Sequence, residues 1–283
     1  MKRISFTWAV CFAFLTGALL AGERSTPTRI ALLSDIHIMH GTNVAAKTLH
    51  RKHLAQAIAD VNAAKVDLVL LAGDLTERGT PEEVGDFRQE MRGFNGRVWF
   101  VPGNHDVGNK RIPGKTPKPN DGTVDAWRLT RFEMHWGPTF WTRERAGVRV
   151  IGINTSIIGS DFSREKKMWK MLEKQLAKPS DKPTLLLLHY PPFIKTPDEK
   201  SAYFDLESAP RQRLLKLLKE GGVKAVLSGH THTEIVNRND GILYVTSPPV
   251  AYGLPKGKQK PGWTLVTVSP SGEVQTEFKY LKE

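Results

Sequence analysis

Cysteine is almost missing from this 283-residue chain: Cys11 is the only one. It sits in a stretch that reads as a removable leader, so the mature chain is expected to have none. That excludes disulfides, thiolate metal sites and cysteine nucleophiles. Internal repeats, low-complexity tracts and a Ser/Gly-rich linker are also missing, and one domain over residues 23–283 is the expectation. Acidic residues are in deficit, with 29 Asp and Glu against 41 Lys and Arg, a formal charge of +12 that falls to about +10 without Lys2 and Arg3. A basic surface favours anionic partners: phosphorylated small molecules, nucleic acid or anionic lipid. Solvated lysines are the plainer account of the same charge.

The leader is read from Lys2-Arg3, a basic start, followed by the nearly apolar run Ile4 to Ala21 with small residues Gly17, Ala18, Ala21 and Gly22 near its end. This matches a secretory signal peptide over residues 1–22. An uncleaved membrane anchor is the alternative, since about 18 apolar residues can just span a bilayer. Leu20-Ala21-Gly22 looks like the start of a lipoprotein box, but Glu23 stands where the acylated cysteine would be. The chain is therefore expected to be exported, to the periplasm or beyond.

What the sequence does contain is a set of short apolar runs, each ending in a polar cluster. Ile30 to Leu33 leads into Ser34-Asp35-Ile36-His37, and Val66 to Ala72 into Gly73-Asp74. Val98 to Val101 leads into Gly103-Asn104-His105-Asp106, Leu185 to Leu188 into His189, and Val223 to Leu227 into Gly229-His230-Thr231-His232. Runs of this length read as strands buried on both faces, and in open α/β sheets the site lies at their carboxyl ends. Between them lie amphipathic helices: one through Leu54, Ala57, Ile58 and Val61, and one opened by the capping box Thr80-Pro81-Glu82-Glu83. A third runs through Trp169, Leu172 and Leu176, and a fourth from Leu214 to Leu218 stops at Gly221-Gly222. Strands at 234–238, 242–246, 263–268 and 273–280 read as antiparallel additions. The fold expected is α/β: a four-layer α-β-β-α sandwich of two facing mixed sheets with helices on the outer faces.

The candidate metal ligands are Asp35, His37, Asp74, Asn104, His189, His230 and His232. Oxygen and imidazole donors of this kind suit Mn, Fe or Zn rather than Ca²⁺ or Cu(I). Seven exceed the needs of one tetrahedral ion but suit two ions sharing a carboxylate. Two metals about 3.5–4 Å apart can clamp a phosphoryl group and hold an activated hydroxide for in-line attack.

In this order and spacing, the series Asp35-x-His37, Gly73-Asp74, Gly103-Asn104-His105-Asp106, His189 and Gly229-His230-x-His232 resembles the calcineurin-like metallophosphoesterase superfamily, over about Thr28 to His232. The resemblance implies that Asp35, His37, Asp74 and His232 hold one metal. Asp74, Asn104, His189 and His230 would hold the other, with Asp74 bridging. It also implies that His105 protonates the leaving oxygen while Asp106 orients its imidazole. Purple acid phosphatases resemble the same pattern but carry a tyrosine ligand shortly after the Gly-Asp motif, and residues 73–79 contain none. Gly73-Asp74-Leu75-Thr76 with Gly79 is more similar to the cyclic-nucleotide and glycerophosphodiester phosphodiesterase branch.

The Pro- and Gly-rich loop 107–124 should overhang this site, with Lys110, Arg111 and Lys115 gripping substrate phosphates. His50 and His53 read as solvated helix residues, and His135 as a packing residue beside Trp136. The function expected is metal-dependent hydrolysis of small phosphate esters, mono- or diester, with no specific nucleic acid partner. An extracellular nuclease and a non-catalytic scaffold on the same fold are the alternatives, and membrane contact follows only if the leader is retained.

Overall fold

The computed structural model describes residues 26–116 and 122–282; the expected signal segment lies outside them. The chain runs β1 (Thr28–Leu33), α1 (Val44–Ala63), β2 (Leu68–Ala72), α2 (Pro81–Met91), β3 (Arg97–Val101), the single turn α3 (Asn104–Val107) and α4 (Ala126–Trp136). It continues with β4 (Trp141–Arg145), β5 (Val148–Gly152), α5 (Ser163–Leu176), β6 (Thr184–Leu187), α6 (Ser208–Glu220) and β7 (Ala225–Ser228). It closes with β8 (Ile235–Asn239), β9 (Ile242–Thr246), β10 (Gly262–Val268) and β11 (Val274–Tyr280).

Two mixed sheets result, one ordered β11-β10-β1-β2-β3 and the other β4-β5-β6-β7-β9-β8. Side-chain alternation along each strand explains how they stack. Ile30, Leu32, Leu68 and Leu70 of the first sheet meet Val150, Leu185, Leu187 and Leu227 of the second in one apolar cluster. The intervening residues Ala31, Leu33, Val69 and Leu71 cluster instead with helix residues such as Leu54, Ala57 and Phe87. Ile151, Leu186 and Val226 likewise face Met168, Leu172 and Leu214. Strands with both faces covered must be apolar throughout, which is why the runs read as continuous rather than alternating. The facing sheets with outer helices are those expected from the sequence.

β1, β2 and β3 are parallel to one another, as are β5, β6, β7 and β9. Their carboxyl ends therefore deliver the polar clusters to one edge of the sandwich. Three of the four late strands are antiparallel additions as expected, but β9 pairs parallel with β7. Its sequence Ile-Leu-Tyr-Val-Thr is buried throughout, as an interior strand requires. The sequence reading missed α4 and β4. α4 begins at Asp125, whose side chain caps Arg128 N, directly after a stretch whose prolines and glycines masked the onset of helical spacing.

Leu70 is fully buried between the sheets. Leu70→Ala should lower the unfolding free energy by about 2–5 kcal/mol in urea titration, the usual loss when a core leucine leaves a cavity.

Candidate metal centre

The loops that follow β1, β2, β3, β6 and β7 are tied to one another before any side chain is considered. Ile36 N and His37 N both donate to Asp74 O at 2.9 Å, Asp35 N to Gly73 O at 3.2 Å, and Gly229 N to His189 O at 3.1 Å. The approach is close enough to demand glycine. A Cβ on Gly73 would lie 2.7 Å from both Gly103 N and His189 Nδ1. Asp35, His37, Asp74, His230 and His232 all have φ between 48° and 72°. Non-glycine residues adopt that left-handed conformation at a cost of about 1–2 kcal/mol each, so five at one sheet edge mark a site whose surroundings hold it in place.

The side chains so placed form two overlapping clusters, Asp35, His37, Asp74 and His232, and Asp74, His189 and His230, while a third and more exposed group, His37, Glu77 and His105, shares His37 with the first. Within each, one donor atom per residue lies within 4.8 Å of the others. Asp74 belongs to the first two: its Oδ2 is 3.6 Å from His37 Nε2 and 3.3 Å from His189 Nε2. Asn104 joins the second cluster, with Oδ1 2.9 Å from His189 Nε2 while its amide nitrogen donates to Asn109 Oδ1 at 3.1 Å. All seven sequence-derived ligands thus meet at one buried place.

The hydrogen bonds on their far sides determine what these atoms offer. His37 Nδ1 is 2.9 Å from Glu77 Oε2, His189 Nδ1 is 2.7 Å from Ala72 O, and His232 Nδ1 is 2.7 Å from Tyr252 O. Each partner is an acceptor, so each Nδ1 carries a proton, and this aims each Nε2 into the cluster. His37 Nε2 and His232 Nε2 then face one another at 3.2 Å. The Nε2 of His230 is buried with no hydrogen-bond partner. Opposed lone pairs and an orphaned buried nitrogen are unfavourable unless a cation or a proton sits among them. Imidazole, carboxylate and amide oxygen suit a metal such as Mn, Fe or Zn, so the residues present fit that group.

Charge follows the same logic. Burial alone would raise the Asp74 carboxyl, but the His189 charge and hydrogen bond, then His37 and His105, hold it well below the usual carboxylate range. Burial would lower His189, yet Asp74 outweighs it and the imidazole is raised to about 9. His230 goes the other way, pushed well below its ordinary value by burial and the His189 charge, so it stays a neutral donor.

His105 stands at the rim rather than among the ligands, its side chain 32% exposed and its ring centroid 4.5 Å from that of His37. Here the structure corrects an expectation. Asp106 does not orient His105. Its two oxygens accept from Leu75 N, Thr76 N, Thr76 Oγ1 and Gly103 N at 2.7–3.2 Å, clamping the loop after β2 to the loop after β3. The His105 ring is held instead by the Glu77 carbonyl, 2.9 Å from Nδ1.

Lys110 is a second correction. Its ammonium is buried and saturated by Ala202 O at 2.7 Å, Asp205 O at 2.5 Å and Glu207 Oε1 at 2.8 Å, leaving nothing for a substrate phosphate. Arg111 lies with its guanidinium carbon 4.9 Å over the Phe162 ring and lines a neighbouring cavity of about 520 Å³ with Lys115 and Tyr203. That cavity shares Asn109 and Tyr203 with the one above His105. His50, expected to be solvated, is buried and donates from Nδ1 to His37 O at 2.8 Å. His53 lies within 2.7 Å of Ala251 O.

The cavity above His105, about 320 Å³, is lined by Glu77, Arg78, Asn104, Asn109, Arg128 and Tyr203 among others. Sequence reasoning missed these apart from Asn104. Glu77 and Arg78 were findable, since they lie three and four residues beyond Asp74 in a loop already assigned to the site. Asn109, Arg128 and Tyr203 arrive from segments with no motif.

Comparison with known proteins agrees with this arrangement. The family model described as calcineurin-like phosphoesterase matches residues 28–234. A probable glycerophosphodiester phosphodiesterase, GpdQ, from Arcobacter nitrofigilis is 31% identical over 231 residues, 77% of this chain and 77% of that protein. The serine/threonine-protein phosphatase CPPED1 of Danio rerio is 29% identical over 231 residues, 76% of this chain and 69% of that protein. The crystal structure of a dimetal phosphatase from Danio rerio shares the fold at a TM-score of 0.56 and 13% identity, covering 89% of this chain and 98% of that one.

Below about pH 9 a metal must displace the proton of His189, while Asp74, already ionised, has none to lose. Mn²⁺ should therefore bind the metal-free protein with net proton release at pH 7.5, and its affinity should rise as the pH is raised toward 9. Calorimetry in buffers of different ionisation enthalpy measures the proton count; a count of zero would contradict the assignment.

Proposed function

This chain belongs to the calcineurin-like phosphoesterase family, and from that premise we propose that it hydrolyses small phosphate esters at two metal ions sharing Asp74. Metal-dependent phosphoester hydrolysis is the activity of the family, and the GpdQ relative sets the chain in the glycerophosphodiester and cyclic-nucleotide phosphodiesterase branch. In this proposal Asp35, His37, Asp74 and His232 hold one ion, and Asp74, Asn104, His189 and His230 hold the other; Mn, Fe and Zn are the candidates. The observation that carries it is the pair of clusters meeting at one Asp74 oxygen, with Nε2 of His37 and Nε2 of His232 3.2 Å apart and His230 Nε2 unpartnered. The chemistry supplied by ions bound there is Lewis-acid polarisation of the phosphoryl group and of the attacking water.

The chain's own residues supply the rest. His105 is the proton donor. With Nδ1 fixed on the Glu77 carbonyl, Nε2 is the nitrogen left to hold and release a proton at the leaving oxygen. Arg78 and Arg128 line the cavity above it and take over the phosphate-facing role once expected of Lys110. Asn104 contributes a neutral oxygen, so the site gains a ligand without adding negative charge against an anionic substrate. We also place the protein outside the cytoplasm on the leader-like residues 1–22; detection of the full-length product in the cytoplasmic fraction alone would count against it.

Hydrolysis of p-nitrophenyl phosphate and bis-p-nitrophenyl phosphate, by protein stripped of metal and reloaded with Mn²⁺, Zn²⁺ or Fe²⁺, tests the reading. Turnover should depend on the added ion, and the preferred ester separates monoesterase from diesterase. His105→Ala should lower kcat by about 10²–10⁴-fold on alkyl esters, whose leaving groups need a proton, and far less on nitrophenyl esters, whose leaving groups do not. Equal losses on both would remove His105 from the role of acid.

A further inference from the structure

A second cavity shares Glu77 in its lining with the one above His105. It encloses about 700 Å³ between α1 and the 252–261 loop, within the size range of small-ligand sites. Glu77 is the residue common to the two linings. Tyr252 forms the inner wall, its ring centroid 4.4 Å from that of the His232 ligand candidate. Part of the lining is apolar, supplied by Met39, Pro261 and Leu49, the last 43% exposed on α1.

Another part of the lining has the opposite character. Lys256, Lys258 and Lys260 belong to it and are exposed. Among the described residues none of the three makes an ion pair with a carboxylate, whereas Lys110 is neutralised by Glu207. Glu77 is the single acidic residue lining this cavity, and its carboxylate is committed to His37 Nδ1. Apolar lining residues beside unpaired cations are complementary to an anionic amphiphile: the apolar residues gain from buried area and the lysines from charge.

We infer that this cavity is a substrate subsite, taking the non-phosphoryl arm of the ester where that arm joins an apolar body to a second anionic group. The inference rests on the reaction site proposed above, because the arm is defined by a phosphoryl group held beside His105. The substrate class narrows accordingly, from phosphate esters in general to esters that carry a further negative charge beyond an apolar segment.

The probe is 8-anilinonaphthalene-1-sulfonate, an aromatic body with one anion, compared with its uncharged counterpart N-phenyl-1-naphthylamine. Both are titrated by fluorescence into metal-loaded protein, a readout that needs no turnover. The sulfonate should bind once per chain and compete with bis-p-nitrophenyl phosphate. The triple variant K256Q/K258Q/K260Q should weaken sulfonate binding about tenfold and leave the uncharged probe unaffected. Leu49→Asp should weaken both. Because the three lysines are exposed, the variant is expected to fold, and an unchanged urea midpoint verifies it. Sulfonate binding that is unchanged in the triple variant would overturn the inference. So would an equal loss in K166Q/K167Q/K170Q, three lysines on α5, or binding that does not compete with the ester. Sulfonate binding without any ester turnover would instead unseat the reaction reading, so the two failures are distinguishable.

Discussion

Nitrogen and oxygen lone pairs converge from five loops onto a volume from which water is largely shut out. His37 and His232 point Nε2 at each other across 3.2 Å, His189 points at the Asn104 oxygen across 2.9 Å, and His230 points Nε2 at no partner. In a poorly screened interior such contacts are repulsive unless positive charge lies between them. Protons can supply part of that charge, and the Asp74 carboxylate raises the His189 imidazole to about 9. Metal ions held by these residues would supply it as well, with the Lewis acidity to polarise a phosphoryl group. The ligand chemistry, the pH dependence of metal uptake and the proposed reaction all follow from this one electrostatic demand.

Holding such a site together is the work of the surrounding backbone. Five ligand candidates sit in left-handed conformations, and their strain persists because neighbouring loops over-determine their positions. Asp106 is the clearest example: a buried carboxylate that accepts four hydrogen bonds and locks the Gly73-Asp74 loop against the Gly103-Asn104 loop. Glu77 does a related job on the open side, where its carboxylate holds His37 and its carbonyl holds His105. A change at either residue would displace the ligands without touching a substrate. The two facing sheets provide the rigid base, since both deliver loops to the same edge.

The strands, their order and the two-sheet sandwich were legible because strands buried on both faces must be apolar throughout, and turn residues bound them. The seven candidate ligands were legible because each follows closely on the end of a strand, where local sequence and position in space coincide. Roles that depend on long-range contacts were not. Asp106 follows His105 in the chain, which invites pairing them, yet the fold turns Asp106 toward Thr76 and gives His105 to Glu77. Lys110 looked like a free cation, but Glu207, 97 residues away, neutralises it. His50 looked solvated in a polar helix, although the loop carrying His37 covers it. Tyr203 and Arg128 carry no motif, and only the folded chain places them at the cavity.

The central claim is that Asp74 joins two metal sites, and metal stoichiometry tests it most directly. Protein loaded with Mn²⁺ or Zn²⁺ and freed of excess ion should carry two ions per chain by elemental analysis. Asp74→Ala should lose occupancy at both sites, falling below one ion per chain while the fold remains intact by circular dichroism. A wild-type chain that saturates at one ion, or an Asp74→Ala chain that still holds two, would contradict the account.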